Sequence, residues 1–125
     1  MTKEEFRKLT ENILLLDGAT GSNLMASGMP RGICTETWVI EHKDIIQELQ
    51  RSYIEAGSRI IYAPTFGGNR INLKKHGLQD RIEEINRTLV GYSREVAPEG
   101  VYVAGDITTS GEFIIPDGDD EDYTY

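Results

Sequence analysis

Ile13-Leu14-Leu15-Leu16 is an unbroken aliphatic run that stops at a carboxylate, Asp17, and a glycine, Gly18. A run without period-two alternation predicts a strand covered on both faces, the usual condition inside a parallel sheet. The charge then falls at the strand's carboxyl end. In open α/β sheets and α/β barrels that end carries the ligand-binding loops, because crossover helices cover the faces of the sheet. Asp17 is therefore a candidate binding residue. Its alternative role is to cap the next turn by accepting N–H bonds from Ala19 or Thr20.

The same arrangement recurs twice. Arg59 to Ala63 (RIIYA) predicts a second strand leading into the polar, glycine-rich loop PTFGGNR, and Val101 to Ala104 (VYVA) a third leading into Gly105 and Asp106. Helical patterns fill the intervals. Thr2 to Leu9 reads as a short amphipathic helix with Thr2 as cap and Glu5 three residues on. Gly28, Pro30 and Gly32 predict an irregular loop from Gly28 to Thr37. From His42, Ile45, Ile46, Leu49 and Tyr53 fall at helical spacing, and Gly57 supplies the stop. Asn72 to His76 makes a helical turn ended by Gly77. Asp80 opens a longer helix with Ile82, Ile85, Leu89, Tyr92 and Val96 on one stripe, ended by Pro98 and Gly100. The order strand, helix, strand, helix, strand predicts an α/β fold with a parallel core and the usual right-handed crossovers.

A chain of 125 residues, 38% hydrophobic and 27% charged, fits one globular domain. Its net charge of −8 argues against nucleic acid and anionic membranes as partners, since both need a clustered basic face. The single cysteine, Cys34, excludes an internal disulfide and suits a reducing, cytoplasmic setting. No apolar run approaches the roughly 20 residues of a membrane span, and the amino terminus has no leader pattern. The segment 116–125, PDGDDEDYTY, carries five acidic residues without the closing glutamate of a calcium loop, and reads as a solvated, mobile acidic end.

DGATGS is not a phosphate loop, because its glycines are too close together and no lysine follows. LLLDGAT has a distant likeness to phosphotransferases of the haloacid dehalogenase type, but Ala19 stands where their second aspartate belongs. Read together, the motifs point elsewhere. ILLLDGATGSNLM, QRSYIEAGSRIIYAPTFGGNRINLKKHGL, EIN at Glu84 to Asn86 and VAGDITTSGE at Val103 to Glu112 closely resemble the opening of the homocysteine S-methyltransferase family, above all its cobalamin-dependent methionine synthase branch.

The resemblance runs from Ile13 to the last residues. It implies the first part, about three β/α units, of a TIM (β/α)8 barrel of about 250 residues or more. It further implies that L-homocysteine sits at the strand carboxyl ends with its sulfur on a zinc ion, which keeps the sulfur a thiolate at neutral pH. Cobalamin and methyltetrahydrofolate belong to other modules of such an enzyme. The zinc-binding cysteines of the family lie on later strands, and Cys34 does not match one of them, so the expected metal and catalytic residues of this chain are none. The matching substrate-binding positions are Asp17, Gly18, Thr65, Phe66, Gly67 and Asn69. A carboxylate at a strand end suits the substrate ammonium, and Gly18, Gly67 and Gly68 suit close backbone approach. Pro64 departs from the polar residue common there, and Asp106 organises its loop. Trp38 is expected to pack, His42 to be exposed, and His76 to act as a cation at a helix end. On this reading the chain forms half a homocysteine site and is inactive alone. The alternative is a self-associating or split-barrel interaction module, completed by the rest of a barrel or by a second copy.

Overall fold

The computed structural model describes residues 2–110, and the acidic stretch 116–125 lies outside the described residues. Among the described residues, helices and strands run in the order α1 (Lys3–Leu9), α2 (Gly21–Ala26), α3 (Thr35–Glu41), α4 (Lys43–Glu55), β1 (Ile60–Tyr62), α5 (Arg70–Lys74), α6 (Ile82–Val96) and β2 (Tyr102–Ala104), with a 3-10 turn at Gln79–Arg81 before α6. The α/β class holds: β1 and β2 pair in parallel, in the register Ile60 to Tyr102, Ile61 to Val103 and Tyr62 to Ala104.

The first aliphatic run corrects the expectation of a doubly covered strand. Only Leu16 forms a bridge, parallel to Ile60. Ladder bonds hold it there, Arg59 N–H to the Leu15 carbonyl at 2.9 Å and Asp17 N–H to the Ile60 carbonyl at 3.0 Å. Ile13 is 93% exposed, Leu15 51% and Leu16 47%. The run has a neighbour on one side only among the described residues, so its other side has nothing to bury against.

The longer helices follow their hydrophobic stripes. α4 sets Ile46 inward, and α6 sets Ile85 and Leu89 inward, against Trp38 and Val39 of α3, Leu24 of α2 and Leu73 of α5. α4 ends where Gly57 takes φ +107, with Gly57 N–H bonded to the Ile54 carbonyl and Ser58 N–H to the Tyr53 carbonyl, the paired closure that requires a left-handed residue. α1 carries the foreseen capping box between Thr2 and Glu5 but buries no residue.

Two helices depart from expectation. α2 occupies the glycine-rich segment after Asp17, and α3 begins inside the loop expected to run to Thr37. Both are short and owe their place to burial, Leu24 in α2 and Trp38 and Val39 in α3. His42, expected to be exposed, is half-buried at the break between α3 and α4. Its ring stacks on Trp38 with centroids 4.0 Å apart and planes 12° from parallel. Its Nδ1 lies 2.8 Å from the Trp38 carbonyl oxygen. Trp38 packs as foreseen, 8% exposed. His76 is exposed beside Gly77.

Candidate functional site

The three strand ends open into one cleft of about 460 Å³. Asp17 and Gly18 line it from the first segment, Pro64, Phe66 and Gly67 from the loop after β1, and Asp106 from the loop after β2. Glu36, Cys34, Leu24, Leu73 and His76 complete much of the wall. Two of the foreseen positions stand behind it. Thr65 is buried, and its hydroxyl donates to the Asp106 carbonyl at 2.9 Å and accepts the Asp106 N–H at 3.0 Å, tying the β1 loop to the β2 loop. Asn69 caps α5, its Oδ1 accepting the Asn72 N–H at 2.9 Å.

Asp17 does not cap its own turn. Its Oδ2 accepts the Tyr62 N–H at 2.9 Å, the continuation of the parallel ladder onto a side chain. Burial lifts its carboxyl above the ordinary value of 3.8, the Tyr62 and Asp17 backbone N–H groups pull it back, and the charge of Asp106 raises it further. Three acidic residues, Asp17, Glu36 and Asp106, thus line a cleft in which, among the described residues, no Lys or Arg lines the wall. Such a site favours an incoming cation, which relieves both the desolvation and the repulsion.

Two glycines of the cleft, Gly18 and Gly67, abut protein side chains rather than open space. A Cβ on Gly18 would lie 2.9 Å from Cε1 and Oη of Tyr53. That hydroxyl donates to the Ala19 carbonyl at 2.9 Å and receives the Asn23 amide at 3.3 Å, so α4 holds the turn after Asp17. Tyr53, Glu36 and Asn86 are site-building residues that no sequence pattern marked for that role; EIN contains Asn86 but gives it no function.

The homocysteine S-methyltransferase family model matches residues 14–125. The chain belongs to the homocysteine S-methyltransferase family. Among its relatives, the methionine synthase of Mycobacterium tuberculosis is 31% identical over 97 residues, covering 73% of this chain and 8% of that protein. The methionine synthase of Mycobacterium leprae is 29% identical over 97 residues, with the same 73% and 8% coverage. An S-methylmethionine–homocysteine S-methyltransferase, BHMT2, of Pongo abelii is 32% identical over 77 residues, covering 61% of this chain and 20% of that protein. The chain therefore spans a small part of the curated relatives it matches. Family membership leaves the dehalogenase-type alternative without support.

No zinc site is built among the described residues. Among the described residues no three or more His, Cys, Asp or Glu side chains gather so as to hold a metal ion. Cys34, the chain's single cysteine, is 8% exposed in the core and donates its S–H to Glu36 at 3.4 Å. It behaves as a small packed side chain.

Proposed function

We propose that this chain supplies the opening β/α units, about three, of a TIM (β/α)8 barrel, and that its cleft is one side of the homocysteine site of a methionine synthase type methyltransferase. The observation that carries this reading is Asp17. Its carboxyl stands at a strand's carboxyl end, fixed by the Tyr62 N–H, half-buried, with the charge of Asp106 acting on it. An amino-acid ammonium answers that environment. Leu24, Ile33 and Phe66 on the same wall suit the apolar chain of homocysteine. Gly18 and Gly67 border the substrate, while Thr65 and Asn69 hold the loops that meet it.

The family implies zinc in the complete domain, with cobalamin and methyltetrahydrofolate on other modules. This chain's residues do not compose the zinc site, so its part is to bind and orient the substrate, and alone it transfers no methyl group. A cytoplasmic setting accords with the one free thiol. No helix among the described residues is long and apolar enough to cross a membrane. The exposed aliphatic side chains of Ile13, Leu15, Leu16 and Ile107 favour a second reading beside the first, in which the rest of a barrel or a second copy covers them.

The test is an amide NMR titration of the full chain with L-homocysteine and with 4-mercaptobutanoate, which lacks the ammonium. Shifts at Asp17, Gly18, Gly67 and Asp106 with the first and not the second are expected. Equal shifts with both would remove the ammonium contact, and no shifts with either would remove the site.

A further inference from the structure

Gly67 and Gly68 are each crossed by a side chain from a distant element. Glu36 of α3 is 6% exposed, and its Oε1 accepts the Gly67 N–H at 2.8 Å. Its Oε2 accepts the Cys34 S–H, so both oxygens of a buried carboxyl are spent inside the protein. Asn86 of α6 donates Nδ2 to the Gly68 carbonyl at 2.7 Å and to the Ile82 carbonyl at 2.8 Å. Neither glycine can be anything larger while these bonds exist. A Cβ on Gly67 would stand 2.6 Å from Glu36 Oε1, and one on Gly68 would meet Asn86 Oδ1 and come within 3.0 Å of the Thr65 carbonyl oxygen.

The loop's own backbone contributes one further bond, Gly68 N–H to the Thr65 carbonyl at 2.9 Å. Between these fixed points stands Phe66, 59% exposed on the cleft wall. A buried polar group is costly unless it is bonded, so a carboxyl committed to a loop amide fixes that loop strongly. We propose that Glu36 and Asn86 are positioning residues that clamp the Thr65–Asn69 loop from two helices, α3 and α6, and thereby set Phe66 and Gly67 for the substrate. The substrate part rests on the reading of the cleft as a homocysteine site; the clamp itself is independent of it.

The experiment is amide hydrogen exchange on the full chain by NMR, with L-homocysteine titrations, for the wild type, Glu36→Ala, Glu36→Gln and Asn86→Ala. Loss of one buried bond should speed exchange of the Gly67 amide about tenfold in Glu36→Ala. Homocysteine should bind several-fold more weakly, and Glu36→Gln, which keeps an acceptor oxygen, should restore both. Asn86→Ala should shift the Phe66 and Gly68 resonances and also weaken binding. If Glu36→Ala does not fold, the Gln and Asn86 variants carry the test. Unchanged Gly67 exchange in Glu36→Ala, or unchanged Phe66 and Gly68 resonances in Asn86→Ala, overturns the clamp. A loosened loop with unaltered homocysteine affinity overturns the positioning role. Wild-type chain that ignores homocysteine would defeat the substrate reading, while the Gly67 amide would still decide the clamp.

Discussion

Asp17, the residue on which the proposed site rests, works against folding. Its carboxyl sits above its ordinary value chiefly because burial penalises the charge, with Asp106 adding to the rise. Between the unfolded and folded values the native chain holds a proton that the unfolded chain has released. Stability therefore falls as pH rises through that window, and the loss is complete above the folded value. At neutral pH the ionised group is a standing cost. Asp17→Asn keeps an oxygen to accept the Tyr62 N–H and carries no charge, so it should melt higher than wild type at pH 7 and show a flatter pH dependence across the acid range. It should also lose the homocysteine shifts, the trade expected of a binding residue held under strain of desolvation. Paired thermal melts at acid and neutral pH check this. A variant no more stable than wild type at pH 7 would mean that burial costs Asp17 nothing.

Among the elements, α5 begins at a residue that is a helix cap as well as a foreseen substrate position. Asn69 accepts the Asn72 N–H, and the helix it starts delivers Leu73 to the core and Asn72 to the cleft wall. Asn69→Ala should cost about 1 kcal/mol in urea unfolding while homocysteine affinity barely moves, and Asn69→Asp, an equally good cap, should recover the stability. The opposite pattern, full stability with lost binding, would make Asn69 a ligand residue. The elements legible in the sequence were those that carry their own signal. α4 and α6 are long, periodic stripes with glycine or proline stops, and β1 and β2 follow apolar runs bounded by turns. α2 and α3 have too few residues for a period to show, and Leu24, Trp38 and Val39 hold them by contacts that exist only after folding. Site legibility divides in the same way. Asp17, Phe66 and Gly67 stand beside strand ends and could be read locally, whereas Glu36 reaches Gly67 across 31 residues and Asn86 reaches Gly68 across 18.

At the scale of the molecule the decisive feature is what the sheet leaves uncovered among the described residues. Its order runs from the Leu16 segment through β1 to β2. Ile13, Leu15 and Leu16 of the first segment are exposed, and so is Ile107 in the loop after β2, at 92%. Covering an isoleucine or leucine side chain completely is worth about 1.5–3 kcal/mol, so edges of this kind favour association. The net charge of −8 works against it, since two copies repel. Salt screens that repulsion and leaves the apolar gain intact. Self-association should therefore strengthen from low to high ionic strength, the reverse of an assembly held by ion pairs. Replacing Ile13 and Ile107 together by lysine removes exposed apolar surface and puts in its place the residue that natural edge strands use against pairing. Sedimentation velocity should show the variant shifted toward monomer at high salt. The amide resonances of Asp17 and Gly67 should stay in place, because neither isoleucine lines the cleft. A wild-type chain that remains monomeric at high concentration and high salt would show that these aliphatic side chains attract no second copy, and the remainder of a barrel would be left as what covers them.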